Sequence, residues 1–307
     1  MTGGAGFIGS HLVDALLAQG HRVVVLDDLS TGDPRRVPKE ARFVKGDVRA
    51  PGLDALLREE AVDTVFHLAA QVDVRRAVED PVFDAEVNVL GTIRVGRAAT
   101  AAGARQVVFA SSGGAIYGDP VGERADESHP LDPCSAYGVG KLAGEKYLAA
   151  LSPEGGWALS VLRYANVYGP RQDGRGEAGV VGIWMNRLLS GQDAVVNGDG
   201  GQTRDFVHVA DVVAATLSAF LRRLPGVFNV GTGVETSVRE LYGLVAAACD
   251  VDAPPRFGPA RAGEQRRSVL DVARARRALG LSELVPLGAG MRATAEWFRL
   301  HRAQQGL

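Results

Sequence analysis

The feature that constrains this chain most is its opening. Thr2-Gly3-Gly4-Ala5-Gly6-Phe7-Ile8-Gly9-Ser10 is a G-x-x-G-x-x-G run that feeds a helical stretch from His11 to Gln19, closed by Gly20. Glycines let the backbone approach a pyrophosphate, and the helix turns its free N–H groups and positive dipole end toward that charge. The next β-branched run, Arg22 to Leu26, ends at Asp27. A carboxylate about 20 residues after such a loop can hold both hydroxyls of an adenosine ribose and repels a 2′-phosphate, which favours NAD over NADP. A Gly-rich turn alone is a common, bland feature; the loop and Asp27 in register carry the reading. Asp28 reads as a solvated turn residue.

Further apolar runs follow at Thr64 to Leu68, Gln106 to Ala110 and Ser160 to Arg163. Continuous rather than alternating runs suit parallel strands covered on both faces. Helical stretches lie between them, Phe83 to Ala102 and Tyr137 to Leu151, the latter after an Asp132-Pro133-Cys134-Ser135 turn. The alternation predicts an α/β fold with a doubly wound parallel sheet of the Rossmann type. One strand is missing from this scheme. It should precede the glycine loop, yet Met1 stands directly before it. A start assigned too late, or a truncated chain, accounts for this best; if the chain truly starts at Met1, about five apolar residues are lacking, the neighbouring strands lose backbone partners, and reduced stability and weaker cofactor binding are expected. After about Tyr168 the chain changes character. Gly, Pro and charged residues cluster at 169–179 and 254–267, around a helix from Asp211 to Arg223 and a strand from Val227 to Val230. This half predicts a smaller, mixed α/β region over the sheet's C-terminal edge.

Ser135-Ala136-Tyr137-Gly138-Val139-Gly140-Lys141 contains Y-x-x-x-K. Positions i and i+4 share a helix face, so Lys141 lies beside Tyr137. A free tyrosine has a pKa of about 10; an adjacent ammonium and a positive nicotinamide favour the phenolate, which can act as a base. Tyr and Lys four apart also occur on ordinary solvated helices, and it is the dinucleotide loop upstream that makes this pair a catalytic candidate. Composition adds exclusions. The 307 residues carry a formal charge of −2, which gives no global electrostatic reason to expect nucleic acid or an anionic membrane as partner. Two cysteines, Cys134 and Cys249, are too few for a disulfide framework and sit in no reactive motif, which points to a reducing cytoplasm. No apolar run approaches the roughly 20 residues of a membrane span. His67 has the shape of a ligand or base, but no second His or carboxylate accompanies it at a metal spacing. No metal is expected, and His67 and His208 read as structural.

Taken together, the Gly loop, Asp27 and Tyr137/Lys141 resemble the extended short-chain dehydrogenases. Further matching segments run nearly the whole length: Gly46-Asp47-Val48, His67-Leu68-Ala69-Ala70-Gln71, Ser111-Ser112 with Ile116-Tyr117-Gly118, Arg163 to Arg171, and Thr203 to Asp211. Within that family the chain is most similar to bacterial UDP-glucose 4-epimerases. The resemblance implies that Gly3, Gly6, Phe7, Ile8, Gly9 and Asp27 hold NAD. It implies that Asp47 and Val48 hold adenine, and that Leu68, Ala69, Ala70 and Gln71 line the cofactor. Asn88, Ser111 and Tyr164 would stand around the nicotinamide beside Tyr137 and Lys141. Asn166, Val180, Asn197, Arg204, Arg261, Glu264 and Ser268 would meet the UDP-sugar, with the two arginines on the diphosphate. Taken alone, those arginines read as solvated surface. The implied division is a cofactor domain of residues 1–167 plus about 206–230, and a nucleotide-sugar domain of about 168–205 plus 231–307. A homodimer is implied through the Phe83–Ala102 and Tyr137–Leu151 helices.

The chain departs from the family at one place. Many relatives carry Ser or Thr five residues before the Gly of the Tyr-Gly pair, as a proton relay; here that position is Gly113, followed by Gly114 and Ala115. A double-glycine epimerase subgroup shares this. Ser112, a water, or Tyr137 acting directly are the alternatives. The same stretch argues against two other chemistries. Similar 4,6-dehydratases place Asp and Glu at the positions of Gly114 and Ala115, and glucuronate decarboxylases place Glu at Ala115, whereas this chain has neither carboxylate. The expected reaction is inversion at C4 of a UDP-hexose, N-acetylated forms included because Ser268 is small. A UDP-glucuronate 4-epimerase, a simple carbonyl reductase and a non-catalytic dinucleotide sensor are the competing readings. Tyr137 with Lys141 argues against the sensor.

Overall fold

In a computed structural model the described residues are 1–120, 124–174, 179–260 and 265–305. The strands run β1 (Val24–Asp27), β2 (Arg42–Lys45), β3 (Thr64–His67), β4 (Gln106–Ser112), β5 (Ala158–Tyr164), β6 (Asn166–Tyr168), β7 (Val195–Asn197), β8 (Thr203–His208), β9 (Gly226–Val230), β10 (Glu235–Ser237), β11 (Arg256–Gly258) and β12 (Arg267–Ser268). β3-β4-β5-β9 form one parallel sheet and β1-β2 a parallel pair beside it. The inner residues of β1, β3, β4, β5 and β9 are almost wholly buried, as continuous apolar runs require when helices cover both faces, while the outer strand β2 is half-buried at most. One apolar cluster, around Leu12, Val25, Val108, Leu162 and Val212, fills one face, and another, around Val65, Val107, Phe109, Val161 and Leu148, fills the other.

Between β1 and β3, Met1 and Thr2 make the backbone links. Thr2 forms a parallel bridge to both Leu26 and His67. Thr2 N–H donates to Phe66 O at 2.9 Å, Leu26 N–H to Met1 O at 2.8 Å and the Met1 ammonium to Val24 O at 2.6 Å. Below Met1 the two strands part around a cavity of about 210 Å³, lined by Val23, Val24, Val62, Thr64 and Phe66 among others.

Two local elements differ from their sequence reading. The first helix is Phe7–Ala18, so it begins inside the glycine run rather than at His11. The predicted helix Phe83 to Ala102 is three pieces: Pro81–Ala85, a π-helical turn Glu86–Gly91, and Thr92–Ala101. A π turn adds one residue to the turn and rotates the helix beyond it; here it carries Asn88 inward, 2 % exposed. The helix bearing Tyr137 spans Ala136–Gly155 and is capped by the Ser135 side chain, which accepts from Gly138 N–H.

The second region is built from shorter strands. β8 lies between β10, antiparallel, and β12, parallel, and also pairs with β6; β7 pairs with β11. Its own apolar cluster holds Trp184, Met185, Leu241, Tyr242, Met291 and Phe298. Helix Ala273–Leu279 returns to the large sheet, where Ala275 and Leu279 join the first cluster.

Candidate active site

The glycine loop threads between the ends of β1 and β3. Gly3 has φ +72°, and a Cβ there would stand 2.6 Å from Ala69 N; a Cβ on Gly9 would stand 2.1 Å from Gly3 O. Side chains are therefore excluded where loop, helix and Leu68–Ala69 pass one another. Gly6 is the N-cap of Phe7–Ala18 and offers no side-chain cap, and the chain's first turn holds no acidic residue. An uncapped helix start of this kind fits a pyrophosphate. Asp27 is buried at the end of β1. Its Oδ2 accepts from Ala5 N–H and its Oδ1 from Leu29 N–H, both at 2.9 Å. Burial pushes this carboxyl above its ordinary range, and the two N–H donors pull it back. Asp47 is held by Arg49, with one bond of 2.6 Å, and this keeps it below the ordinary range. Val48 is buried against Gly91 of the π turn. Ala70 is half-buried beside Gln71.

A chain of hydrogen bonds runs from this loop to the catalytic helix. Ala69 N–H donates to Thr2 Oγ1 at 3.3 Å, Thr2 Oγ1 meets His67 Nδ1 at 2.8 Å, and His67 Nε2 meets Thr92 Oγ1 at 2.9 Å. Thr92 spends its proton on Asn88 O at 2.7 Å, so it can only accept from His67. That fixes His67 as the Nε2–H tautomer, with Nδ1 accepting from Thr2. Fully buried, His67 is lowered to about 3, chiefly by desolvation and then by Lys141. It is neutral and structural, as its sequence context implied. Asn88 then pairs with Gln71 as a strand would: Gln71 N–H donates to Asn88 Oδ1 at 3.0 Å and Asn88 Nδ2 to Gln71 O at 2.9 Å.

Tyr137 and Lys141 share one face of Ala136–Gly155, with Lys141 Nζ 6.0 Å from the Tyr137 ring centre. Lys141 is 4 % exposed and donates to Ala110 O at 2.9 Å. Burial lowers it to about 8, against the attraction of Asp84 and Glu145. Tyr137 is pushed up to about 12 by burial, with a hydrogen bond from Ser112 working the other way and Asp84 adding to the rise. Burial thus outweighs the Ser112 hydrogen bond, and these side chains keep Tyr137 a phenol; the sequence reading joins the Lys141 ammonium to a positive nicotinamide in favouring the phenolate. The structure brings Ser112 to Tyr137. A side chain at Gly113 would crowd its neighbours, since a Cβ there would stand 2.7 Å from Leu270 Cδ1 and 3.1 Å from Arg163 O.

Ser111 donates to Glu145 Oε1 at 2.5 Å. Glu145 takes Arg163 at 2.6 and 3.0 Å in a buried pair, and Arg163 continues to Tyr117. Tyr164, buried at the end of β5, bonds Thr216 Oγ1 at 2.8 Å and is raised to about 12 by burial. Toward the sugar side, Asn166 lies beside Gly114, and its buried Nδ2 has no hydrogen-bond partner. Arg204 and Ser268 are opposite one another on β8 and β12, and Arg204 Nη1 donates to Thr203 O at 2.8 Å. Asn197 ends β7, and Val180 opens the helix Val180–Leu189. Arg261 and Glu264 lie outside the described residues. His208 caps its helix through Nδ1. Sequence reasoning missed Asp84, Glu145 and Thr92. Their signal is helical spacing, since Asp84 and Asn88 stand four apart, as do Lys141 and Glu145.

An NAD site, a half-buried Tyr137 beside a buried Lys141, and a second mixed region define a dinucleotide-dependent enzyme of the short-chain dehydrogenase kind. The chain belongs to the NAD dependent epimerase/dehydratase family, whose pattern matches residues 1–231. Within it the chain is 49 % identical, over 97 % of both chains, to a UDP-glucose 4-epimerase of Mycolicibacterium smegmatis. A UDP-glucose 4-epimerase of Thermotoga maritima, solved with UDP-glucose, superposes with a TM-score of 0.94 at 40 % identity over 98 % of both chains. One from Thermus thermophilus, solved with NAD, gives 0.92 at 45 % over 97 % of both.

Proposed function

We propose that this chain inverts C4 of a UDP-hexose, interconverting UDP-glucose and UDP-galactose through a 4-keto sugar. One observation carries the reading. Tyr137, Ser112 and Lys141 converge at the C-terminal end of β4, while residues 113–115 are Gly, Gly and Ala, so the site has a proton acceptor but no second acid for elimination. Gly3, Gly6, Phe7, Ile8, Gly9 and Asp27 would hold the pyrophosphate and adenosine ribose, and Asp47 and Val48 the adenine. Leu68, Ala69, Ala70 and Gln71 would line the dinucleotide, with Asn88, Ser111 and Tyr164 supporting the nicotinamide end. Bound NAD supplies reversible hydride acceptance. Tyr137 takes the proton of the 4-hydroxyl and gives it back, with Ser112 as the hydroxyl that passes it. Lys141 keeps a positive charge beside the phenol, which favours the phenolate as the proton leaves. Asn166, Val180, Asn197, Arg204 and Ser268 would anchor the nucleotide-sugar, with Arg261 and Glu264 completing the set, so that the keto sugar turns around its diphosphate.

The finer readings rest on the same frame. Residues 1–167 and about 206–230 form the cofactor part and about 168–205 with 231–307 the sugar part, with Ala273–Leu279 packed back on the former. Among the described residues no helix is long and apolar enough to cross a membrane, and a cytoplasmic location follows the cysteine usage. A homodimer is supported by exposed Val139 and Tyr147 on the catalytic helix and by exposed Val78, Val82 and Leu90 on the helical segments beside it.

Purified protein incubated with UDP-galactose, UDP-N-acetylgalactosamine or UDP-galacturonate, without added NAD, tests the reading by chromatography. Conversion of the first is expected. Conversion of the uronate alone moves the assignment to a glucuronate 4-epimerase, and no conversion of any with NAD added overturns it. Ser268 is small and buried beside Arg204. Ser268→Tyr should lower turnover of the N-acetylated sugar relative to the plain one about tenfold; an unchanged ratio removes Ser268 from the hexose pocket.

A further inference from the structure

Lys141 is a buried cation, and a buried cation needs a counter-charge. The titratable groups that face it are Glu145 on its own helix, Asp84 on Pro81–Ala85, Tyr137, and His67 on β3. His67 is neutral. Glu145 is already matched by Arg163, which reaches both of its oxygens. Asp84 is different. It is 2 % exposed, and its hydrogen-bond donors are neutral amides, Gln71 Nε2 and Asn88 Nδ2, each 3.0 Å from Oδ1. Its Oδ2 is turned to the catalytic helix, 3.1 Å from where a Cβ on Gly140 would stand. Gly140 directly precedes Lys141, so the absence of a side chain there is what lets the carboxylate approach the helix.

We propose that Asp84 is a positioning residue for the reaction: its carboxylate is the counter-charge of Lys141, and through Gln71 and Asn88 it locks the cofactor loop to the catalytic helix. This rests on the epimerase reading for its kinetic consequence but not for its electrostatic one. The negative charge raises Lys141 and also raises Tyr137. Removing it lowers both groups together, a signature that a merely structural residue does not give.

Asp84→Asn keeps the shape and the two amide contacts to Oδ1 while removing the charge. Both limbs of the pH–rate profile for UDP-galactose conversion should move to lower pH, by about one unit. KM should change less than kcat, and Asp84→Glu should restore the limbs toward their original positions. A D84N profile that keeps both limbs in place overturns the proposal, whereas a native chain without turnover overturns the epimerase reading instead. Thermal midpoints decide independently of activity, even where D84N is too unstable to assay. D84N leaves the Lys141 ammonium buried without its counter-charge, so D84N/K141M should melt above D84N. A double variant that melts at or below the single one overturns the pairing.

Discussion

On the cofactor side of the active site, the buried groups from Thr2 through His67, Thr92 and Asn88 to Gln71 and Asp84 answer one another donor for acceptor. Where the chain crosses to the sugar side they do not. Among the described residues six side-chain atoms are buried without a partner: Gln106 Oε1 at the far end of β4, and Asn166 Nδ2, Arg171 Nη1, Gln172 Oε1, Asn186 Oδ1 and His208 Nε2, which fall in the stretch from Asn166 to His208. Leaving a buried donor or acceptor unpaired costs about 1–3 kcal/mol, so the contrast has a meaning. A cofactor that is reduced and re-oxidised in each turnover never has to leave, and a rigid, self-satisfied cradle suits it. A sugar that must present first one face and then the other is better met by groups not already committed within the protein.

The largest effect separates the two halves at the chemical step. Tyr137→Phe removes the group that moves the proton but touches none of the cofactor-side bonds. Turnover should fall about 10²–10⁴-fold, while the NAD released on denaturing the purified variant stays at the native amount. A variant that turns over near normally removes Tyr137 from the chemistry, and one that has lost its NAD shows that the two halves are not separable.

Next in size is the buried pair behind the site. Glu145→Ala would leave the Arg163 guanidinium buried with only Tyr117 and the Glu127 carbonyl as acceptors, at a cost of about 3–5 kcal/mol by urea unfolding. A loss below about 1 kcal/mol would mean that the cofactor half is not held by this network.

These two tests also mark where the sequence was legible. The glycine run, Asp27 and Tyr137/Lys141 are local in the chain, and each has a one-dimensional spacing set by loop, strand and helix geometry. They could be read without a structure, as could the parallel sheet from its continuous apolar runs. Asp84, Glu145 and Thr92 act across the fold, and on a helix an acid looks the same whether it faces solvent or a buried lysine. The π turn at Glu86–Gly91 was illegible for a related reason: its sequence keeps the apolar spacing of an ordinary helix, and only the contact of Asn88 with Gln71 shows why the extra residue is there. The family's relay position falls on Gly113, and the path of β4 brings the hydroxyl of Ser112, one of the alternatives left open by the sequence, to Tyr137.

A smaller effect tests the rigidity of the cofactor half through pH. His67 is neutral when folded, with its pKa lowered to about 3, while the unfolded chain takes a proton below about 6.5. A depressed histidine contributes stability that is complete above the unfolded value and is lost as pH falls from there toward the folded one. Between pH 7 and 4.5 it should account for a loss of about 2–3 kcal/mol. His67→Gln should be less stable at pH 7 but show a shallower decline on acidification. Parallel declines in the two proteins would mean that His67 is protonated in the fold.

The smallest effect has the opposite sign on stability. Asn166 sits in a half-buried position with its Nδ2 unpaired and Gly114 as its neighbour. If that amide is reserved for the sugar-nucleotide, the folded chain gains nothing from it, because the donor has given up water without a protein acceptor in exchange. Asn166→Ala should therefore leave the urea midpoint unchanged or raise it by about 1 kcal/mol. The KM for the UDP-sugar should rise about tenfold, since one hydrogen bond of that size is lost from the complex. The combination discriminates in a way neither number does alone. A destabilised variant with unchanged KM would make Asn166 part of the scaffold that joins β6 to the short helix Gly113–Ile116. A stable variant with weakened binding would mean that the sugar half is left incomplete by design, and that its polar groups are completed by the substrate.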